Sequence, residues 1–324
     1  MSHYKHFTID ERENILAFMS EGLSVSEIAR RLGRNKSSVS REINRNCVYK
    51  KCYRPSKAQD RYLKNRKRCR RHKKLENPVL KEKVRFLFEE NQWSPEQIAN
   101  RIGLECGRKI VSYSTIYRAI YCGLFNRGTR QAKVKLRHKG KRRRINGSEE
   151  RRGKIVVKRE LGERPPEANN RERIGDWEGD TVLGRRSRSC LATLVDRKSR
   201  YLLCKKCPDR KSHNIRDAII HLLDWQPAYT VTPDRGKEFA RYEEVEAAIS
   251  VEFFFPKPGH PWERGTNENT NGLLREYFPK RSDIDIISDE EVQCAVDKIN
   301  LRPRKILGWK TPFEVYHGVS LHLT

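Results

Sequence analysis

Asp176-Trp177-Glu178-Gly179-Asp180-Thr181-Val182-Leu183 decides the fold. It reads as a strand carrying acids at alternate positions, and alternate side chains of a strand share one face. Leu191-Ala192-Thr193-Leu194-Val195 follows as a second strand. Asp196-Arg197-Lys198-Ser199 makes a turn, and Tyr201-Leu202-Leu203-Cys204 returns antiparallel. Further on, residues 214–223 have helical spacing, with Ile215, Ala218, Ile219, Leu222 and Leu223 on one side. Tyr229 to Thr232 is a short strand that runs into Pro233-Asp234-Arg235-Gly236. The pattern then predicts a helix over 238–249, a strand over 251–255, a helix over 266–277 despite Gly272, and a last helix capped by Ser288 and running to Ile299.

Three strands in a meander, then alternating helices and strands, predict an α/β domain of the ribonuclease-H-like kind. Its sheet is mixed and five-stranded, with helices on both faces. Such a sheet can bring Asp180, Asp234 and Glu268 together at one edge, two from strand positions and one from a helix. Converging carboxylates repel, and hard divalent cations neutralise them through oxygen ligands. Two Mg²⁺ ions about 4 Å apart would then suit in-line phosphodiester displacement, without a histidine base. Other acids compete for these places. Asp176 and Glu178 share the strand face of Asp180, Glu263 rivals Glu268, and Glu238 stands four residues past Asp234. Asp196 reads as a turn former.

The charge points to a polyanion. The 324 residues carry 70 Lys and Arg against 42 Asp and Glu, a net charge of +28. Residues 1–170 hold 44 basic and 18 acidic residues, whereas 171–324 hold 26 and 24, so nearly all the excess lies in the first half. Apolar runs are as short as Phe253-Phe254-Phe255, far from the ~20 residues of a spanning helix. No apolar signal core follows Met1, and nine scattered cysteines suit reduced thiols, so a cytoplasmic protein is expected, with no membrane partner. Cys204 and Cys207 form a close pair without a second pair to complete a zinc site.

The basic half has periodic apolar positions. Residues 8–46 read as three short helices, with Ile15, Leu16, Phe18 and Met19, then Ile28, Ala29 and Leu32, then Val39 and Ile43 facing inward. Ser24 or Ser26 caps the second and Gly33 makes the turn. Lys36, Ser37, Ser38, Ser40, Arg41, Asn44 and Arg45 then face outward on the third, which suits a helix in a major groove. Residues 54–74 are dominated by Lys and Arg and extend that helix or form a linker across phosphates. A second helix-turn-helix follows. Trp93-Ser94-Pro95-Glu96-Gln97 carries a capping box with proline in the first turn, and a later helix begins at Ser112. Ser112, Ser114 and Arg118 are its candidate DNA contacts. A basic connector around Lys139 to Arg144 adds Arg142 and Arg143. Near Glu268, Asn267, Asn269 and Asn271 can hold phosphates, water or the ligand carboxylate, Arg264 can bind a phosphate, and Arg302 ends the last helix. The expected domains are 1–50 (helix-turn-helix), 51–77 (basic linker or helix extension), 78–125 (second helix-turn-helix), 126–165 (flexible basic linker) and 166–324 (catalytic core with a C-terminal cap).

These segments together resemble the bacterial insertion-sequence transposases of the insertion-sequence thirty family. Residues 28–34 with 39–43 are similar to its N-terminal helix-turn-helix, and 93–99 with 115–117 to its second DNA-binding unit. Trp177-Glu178-Gly179-Asp180, Asp234-Arg235-Gly236-Lys237-Glu238 and Arg264-Gly265-Thr266-Asn267-Glu268-Asn269-Thr270-Asn271-Gly272 look like the segments bearing its three acids. Residues 300–312 match its tail. The resemblance covers nearly the whole chain. It implies a DDE transposase with an integrase-like core and Asp180, Asp234 and Glu268 as the catalytic and metal-binding triad. The implied cofactor is Mg²⁺, two ions, with Mn²⁺ as substitute. The implied partners are the terminal inverted repeats and target DNA, both double-stranded, held by a homo-oligomer that is at least a dimer. A DNA-binding regulator with a degenerate core, or a nuclease without strand transfer, would share much of this pattern. One consequence is directly measurable: Arg41→Ala weakens binding to the element end in a mobility-shift titration and leaves divalent-metal binding intact. Unchanged end binding would remove Lys36 to Arg45 from the interface.

Overall fold

The computed structural model describes residues 5–47, 52–69, 73–129, 131–136, 157–185, 187–257 and 265–324. The chain forms two compact units, residues 1–76 and 77–324.

In the first unit, α1 (Ile9–Ser20) starts at a reciprocal cap between Thr8 and Glu11. Ser24 caps α2 (Val25–Arg31), and Gly33, at φ +60°, turns the chain into α3 (Lys36–Asn46), capped by Asn35. Ile15, Ile28, Val39 and Ile43 meet in the core. Each contributes about 1.5–3 kcal/mol by leaving water. The basic stretch after α3 is a separate helix, α4 (Pro55–Cys69), and not an extension. Proline without an N–H suits its first position, and Tyr53 and Ala58 bury against the α1 core. A buried arginine ties these helices. Arg12 donates to Glu42 (2.7 Å), the Phe7 carbonyl (2.8 Å) and Gln59 (2.5 Å), so α1, α3 and α4 share one guanidinium.

The second unit begins with α5 (Pro78–Glu89), α6 (Pro95–Glu105) and α7 (Tyr113–Tyr121). Ser94 and Gln97 close the capping box of α6, and Ser112 caps α7. After α8 (Pro166–Asn170) come β1 (Asp176–Leu183), β2 (Cys190–Asp196), β3 (Leu202–Cys207), α9 (Ser212–Leu223), β4 (Thr230–Thr232), α10 (Tyr242–Ile249) and β5 (Glu252–Phe253). The chain continues through α11 (Gly265–Tyr277), α12 (Asp289–Asn300) and α13 (Pro312–His317). The sheet order is β3-β2-β1-β4-β5. β1, β2 and β3 are antiparallel neighbours, while β4 and β5 run parallel to β1, which makes the sheet mixed. Cys190, Ala192 and Leu194 of β2 face one core with α9 and α10, and Leu191 and Val195 face the other with α11 and α12. Both faces of the sheet are therefore covered.

Two elements differ from the periodicity. The expected helix over 238–249 is split into a tight turn at Lys237–Phe239 and α10. Glu238 is pinned by Arg210 and by the Thr181 hydroxyl (3.2 Å), and helical geometry resumes only after Arg241. The last strand is shorter than 251–255, with Phe255 pairing instead in an isolated bridge to Glu160. Cys204 and Cys207 lie three apart on β3 and enter opposite cores, so they do not face a common ligand. No helix among the described residues is long and apolar enough to cross a membrane.

The tail docks onto α6 through Arg101, which is 1% exposed. Its guanidinium donates to both oxygens of Glu314 (2.6 and 2.8 Å), to Glu105 (2.6 Å) and to the Leu321 carbonyl (2.6 Å). Burial pushes the Glu314 carboxyl up, but Arg101 and the N–H groups of Leu321 and Thr311 outweigh it and hold the carboxyl at about 2, below its ordinary 4.5. A folded-state value below the unfolded one stabilises fully above the unfolded value, and the stabilisation disappears as pH falls through the folded value. Urea melts of the whole chain should lose stability between pH 4.5 and about 2. In Glu314→Gln that part of the slope is absent, and an unaltered acid profile would disprove the pairing.

Candidate active site

β1 supplies the first acids. Its register with β2 places Glu178 opposite Val195 and Asp180 opposite Thr193. Glu178 and Asp180 lie on the α11 side of the sheet, as their shared parity requires. The Asn267 backbone N–H donates to Glu178 Oε2 (3.1 Å) and the Asn271 amide donates to Asp180 Oδ2 (2.9 Å). Two strand residues advance about 6.8 Å and four helical residues about 6 Å. The Glu178/Asp180 pair thus matches the Asn267/Asn271 pair, and α11 lies along β1 in register.

The two strand acids have different surroundings. Glu178 is fully buried and its Oε1 accepts from Arg197 (2.5 Å). Arg197 also donates to the Ala168 carbonyl (3.0 Å). Burial lowers the Arg197 guanidinium from its ordinary value, and it pushes neighbouring Arg164 down to about 10, with the Arg197 charge adding to the effect. Asp176 accepts from Arg173 and from the Thr230 hydroxyl (2.8 Å). Asp180 is half-buried, and Thr193 Oγ1 donates to its carbonyl (3.1 Å). Asn271 Oδ1 lies 3.4 Å from the same hydroxyl, so Thr193 and Asn271 brace Asp180 from two sides.

Asp234 arrives from β4. The parallel register sets Glu178 beside Thr232. The ladder ends there, and Asp234 follows two residues past it, as Asp180 does on β1. Asp234 is buried, and its Oδ1 accepts from the Gly236 N–H (3.0 Å), which closes a turn at the strand end. A side chain at Gly236 would meet the Glu238 carboxylate and displace it from Arg210 and Thr181. Glu268 lies on the first turn of α11 and is exposed. Among the described residues no group of three or more His, Cys, Asp or Glu side chains stands close enough to hold a metal ion. The donors that β1, β4 and α11 offer are nonetheless carboxylate oxygens, the chemistry that Mg²⁺ prefers.

The other candidates divide by exposure. Lys36, Ser37, Arg41, Asn44 and Arg45 are exposed on α3, with Ser38 and Ser40 half-buried. Arg41 folds back on its own helix, donating to the Ser37 carbonyl (3.0 Å) and hydroxyl (3.1 Å). Ser114 and Arg118 are exposed on α7, and Ser112 serves as its cap. Asn267 is 1% exposed, and neither of its amide atoms has a hydrogen-bond partner among the described residues. Arg302 is turned inward, donating to Glu276 (2.8 Å), Gln97 (3.1 Å) and the Gln92 carbonyl (2.6 Å). Arg142, Arg143, Arg264 and the rival acid Glu263 lie outside the described residues. Sequence reasoning missed Arg197 as the partner of Glu178. The matched spacing of 178/180 and 267/271 was the signal that could have found the α11 contacts.

Residues 3–46 match a helix-turn-helix domain family and residues 170–261 match the integrase core domain family. The chain is similar over 318 residues to the transposase for insertion sequence element IS4351 of Bacteroides fragilis, at 35% identity, covering 97% of this chain and 96% of that protein. It is 37% identical to the transposase for element IS1086 of Cupriavidus metallidurans, over 99% of this chain and 97% of that one. To the transposase InsI for element IS30A of Escherichia coli it is 36% identical, over 98% of this chain and 85% of that protein. An α/β core with acids on β1, past β4 and on α11, behind an all-α helix-turn-helix unit, thus accompanies near-full-length similarity, and the chain belongs to the IS30-like insertion-sequence transposases with a DDE-type integrase core.

Proposed function

We propose that this protein binds the terminal inverted repeats of its own element, cleaves the DNA at those ends and joins the freed 3′-hydroxyl to target DNA, with Asp180, Asp234 and Glu268 as the catalytic carboxylates. The observation that carries this is the placement of Asp180. It lies two residues past the last rung between β1 and β4, as Asp234 does beyond β4, and is held by Asn271, three residues beyond Glu268 on α11. The rivals Glu178 and Asp176 are fully buried whereas Asp180 is half-buried, which supports Asp180 as the acid of β1 that faces DNA.

The chemistry consists of two phosphoryl displacements. In the first, water attacks the phosphorus at the element end, forming one P–O bond and releasing a 3′-hydroxyl. In the second, that hydroxyl attacks a target phosphodiester and a target 3′-oxygen leaves. Asp180, Asp234 and Glu268 would hold two Mg²⁺ ions, or Mn²⁺ in their place, and these would activate the attacking oxygen and stabilise the leaving one. The chain itself orients the reacting groups. Asn271 and the Thr181 N–H fix the Asp180 carboxylate, and the Gly236 turn fixes Asp234. The exposed face of α3 reads the repeat, and the basic residues of the first half neutralise the backbone. Pairing of two ends requires at least a dimer, working on the nucleoid in the bacterial cytoplasm.

The test separates binding from chemistry. Labelled linear DNA with the native ends is incubated with target plasmid and Mg²⁺, and bound, cut and joined species are scored for the wild type and for Asp180→Ala, Asp234→Ala and Glu268→Ala. The three variants should bind ends as the wild type does and neither cut nor join. Wild-type protein that binds but never cuts in Mg²⁺ or Mn²⁺ would make it a regulator, and cutting without joining would make it a nuclease. Asn271→Ala should lower cleavage about 10–100-fold with end binding unchanged, the usual cost of losing a group that orients a metal-binding carboxylate.

A further inference from the structure

The second unit contains a cleft of about 1210 Å³ whose walls are α5 to α7 on one side and α11 with the tail on the other. The side of α11 that lines it is not the side that meets β1. Gly265, Thr266, Asn269 and Thr270 face the cleft, while Asn267 and Asn271 face Glu178 and Asp180. Glu268 sits between these two sides, since each residue turns a helix by roughly 100°. The cleft therefore borders the candidate active site along its catalytic helix.

Its lining is charged and aromatic. Seven Lys or Arg side chains and two Glu side chains contribute to it among the described residues. Several cations are used within the protein, as when Arg200 binds the Thr266 hydroxyl. Others remain available to a ligand. Arg171 is half-buried, with no ion-pair partner among the described residues, and Lys305 is exposed beside Glu96 (3.1 Å). Opposite them on α7 stand two tyrosines one turn apart. Tyr117 and Tyr121 stack with centroids 6.3 Å apart and planes at 17°, and Tyr121 is 66% exposed. Trp309 lines the other wall, half-exposed.

Cations alone would suit duplex or single strand equally. Aromatic faces discriminate, because a duplex hides the faces of its bases in the stack, whereas unpaired bases can lie against a ring. We propose that this cleft binds unpaired DNA, with one strand stacking its bases on Tyr121 and Tyr117 and setting its phosphates against Arg171 and Lys305. The strand that fits this position during the reaction is the one opened next to the cut end. That last identification rests on the transposase reading, while the binding of unpaired DNA does not.

The test uses the full chain without divalent metal, so that no cleavage occurs. Binding of a fluorescent oligothymidylate of roughly 12 nucleotides, within the usual span of single-strand sites, is followed by anisotropy across a salt series, beside an end-bearing duplex. Tyr121→Ala should weaken oligothymidylate binding about tenfold, the loss of one stacked base, with duplex affinity and salt slope unchanged. Tyr121→Trp should restore it. Lys305→Ala should reduce the single-strand salt slope by about 0.7, the loss of one phosphate contact. Arg41→Ala should affect the duplex alone. Wild-type oligothymidylate affinity in Tyr121→Ala would overturn the proposal, as would an equal loss for single strand and duplex. Because nothing is cut, a failure of the transposase reading would leave these outcomes unaltered.

Discussion

The buried pair of Glu178 and Arg197 is the contact on which the core's functional geometry depends. Glu178 lies on the central strand of the sheet, with no exposure, and its second oxygen takes the Asn267 N–H from the first turn of α11. A buried carboxylate left without its cation costs about 3–5 kcal/mol, whereas an exposed ion pair contributes about 0–1 kcal/mol. The magnitude decides which acid of β1 is structural. Glu178 cannot be released from Arg197 without uncovering that penalty. Asp180, two residues on, is half-buried, and its carboxylate accepts from the Asn271 amide and the Thr181 N–H.

The same device recurs elsewhere. Arg12 joins three helices of the first unit through Glu42, Gln59 and the Phe7 carbonyl, and Arg101 joins α6 to the tail through Glu314 and the Leu321 carbonyl. A guanidinium presents its donors in a fixed fork, which lets one side chain satisfy several elements at once. A strongly basic chain therefore uses its arginines in two ways. Those with carboxylate partners in the interior hold helices together, and those on α3 are exposed. Arg302 belongs to the first group although it lies in a basic tail, because Glu276, Gln92 and Gln97 surround its guanidinium.

Much of the fold was legible because it rests on local physics. The acids at 176, 178 and 180 reported a strand, the capping box at Ser94 and Gln97 reported a helix start, and the meander followed from the turn at 196–199. The split before α10 was not legible. Glu238 leaves helical geometry for partners at Thr181 and Arg210, and both are distant in the chain. The separate helix α4 was hidden for a similar reason, since lysines and arginines dominate its stretch and only Tyr53 and Ala58 bury.

Alternation, capping and composition by themselves determined a basic helical half, a mixed α/β half and a short set of candidate acids, because period, cap and charge are properties of neighbouring residues. Only the tertiary structure decided what each acid touches. It paired Glu178 with Arg197, set Asn271 on Asp180, left Asp180 and Asp234 each two residues past the last parallel rung and turned Arg302 inward. These partners lie 19, 91, 54 and 26 residues apart in the chain. No local period encodes such separations. They arise when the sheet and helices pack, since burial then makes an unpaired charge too costly to leave without a partner.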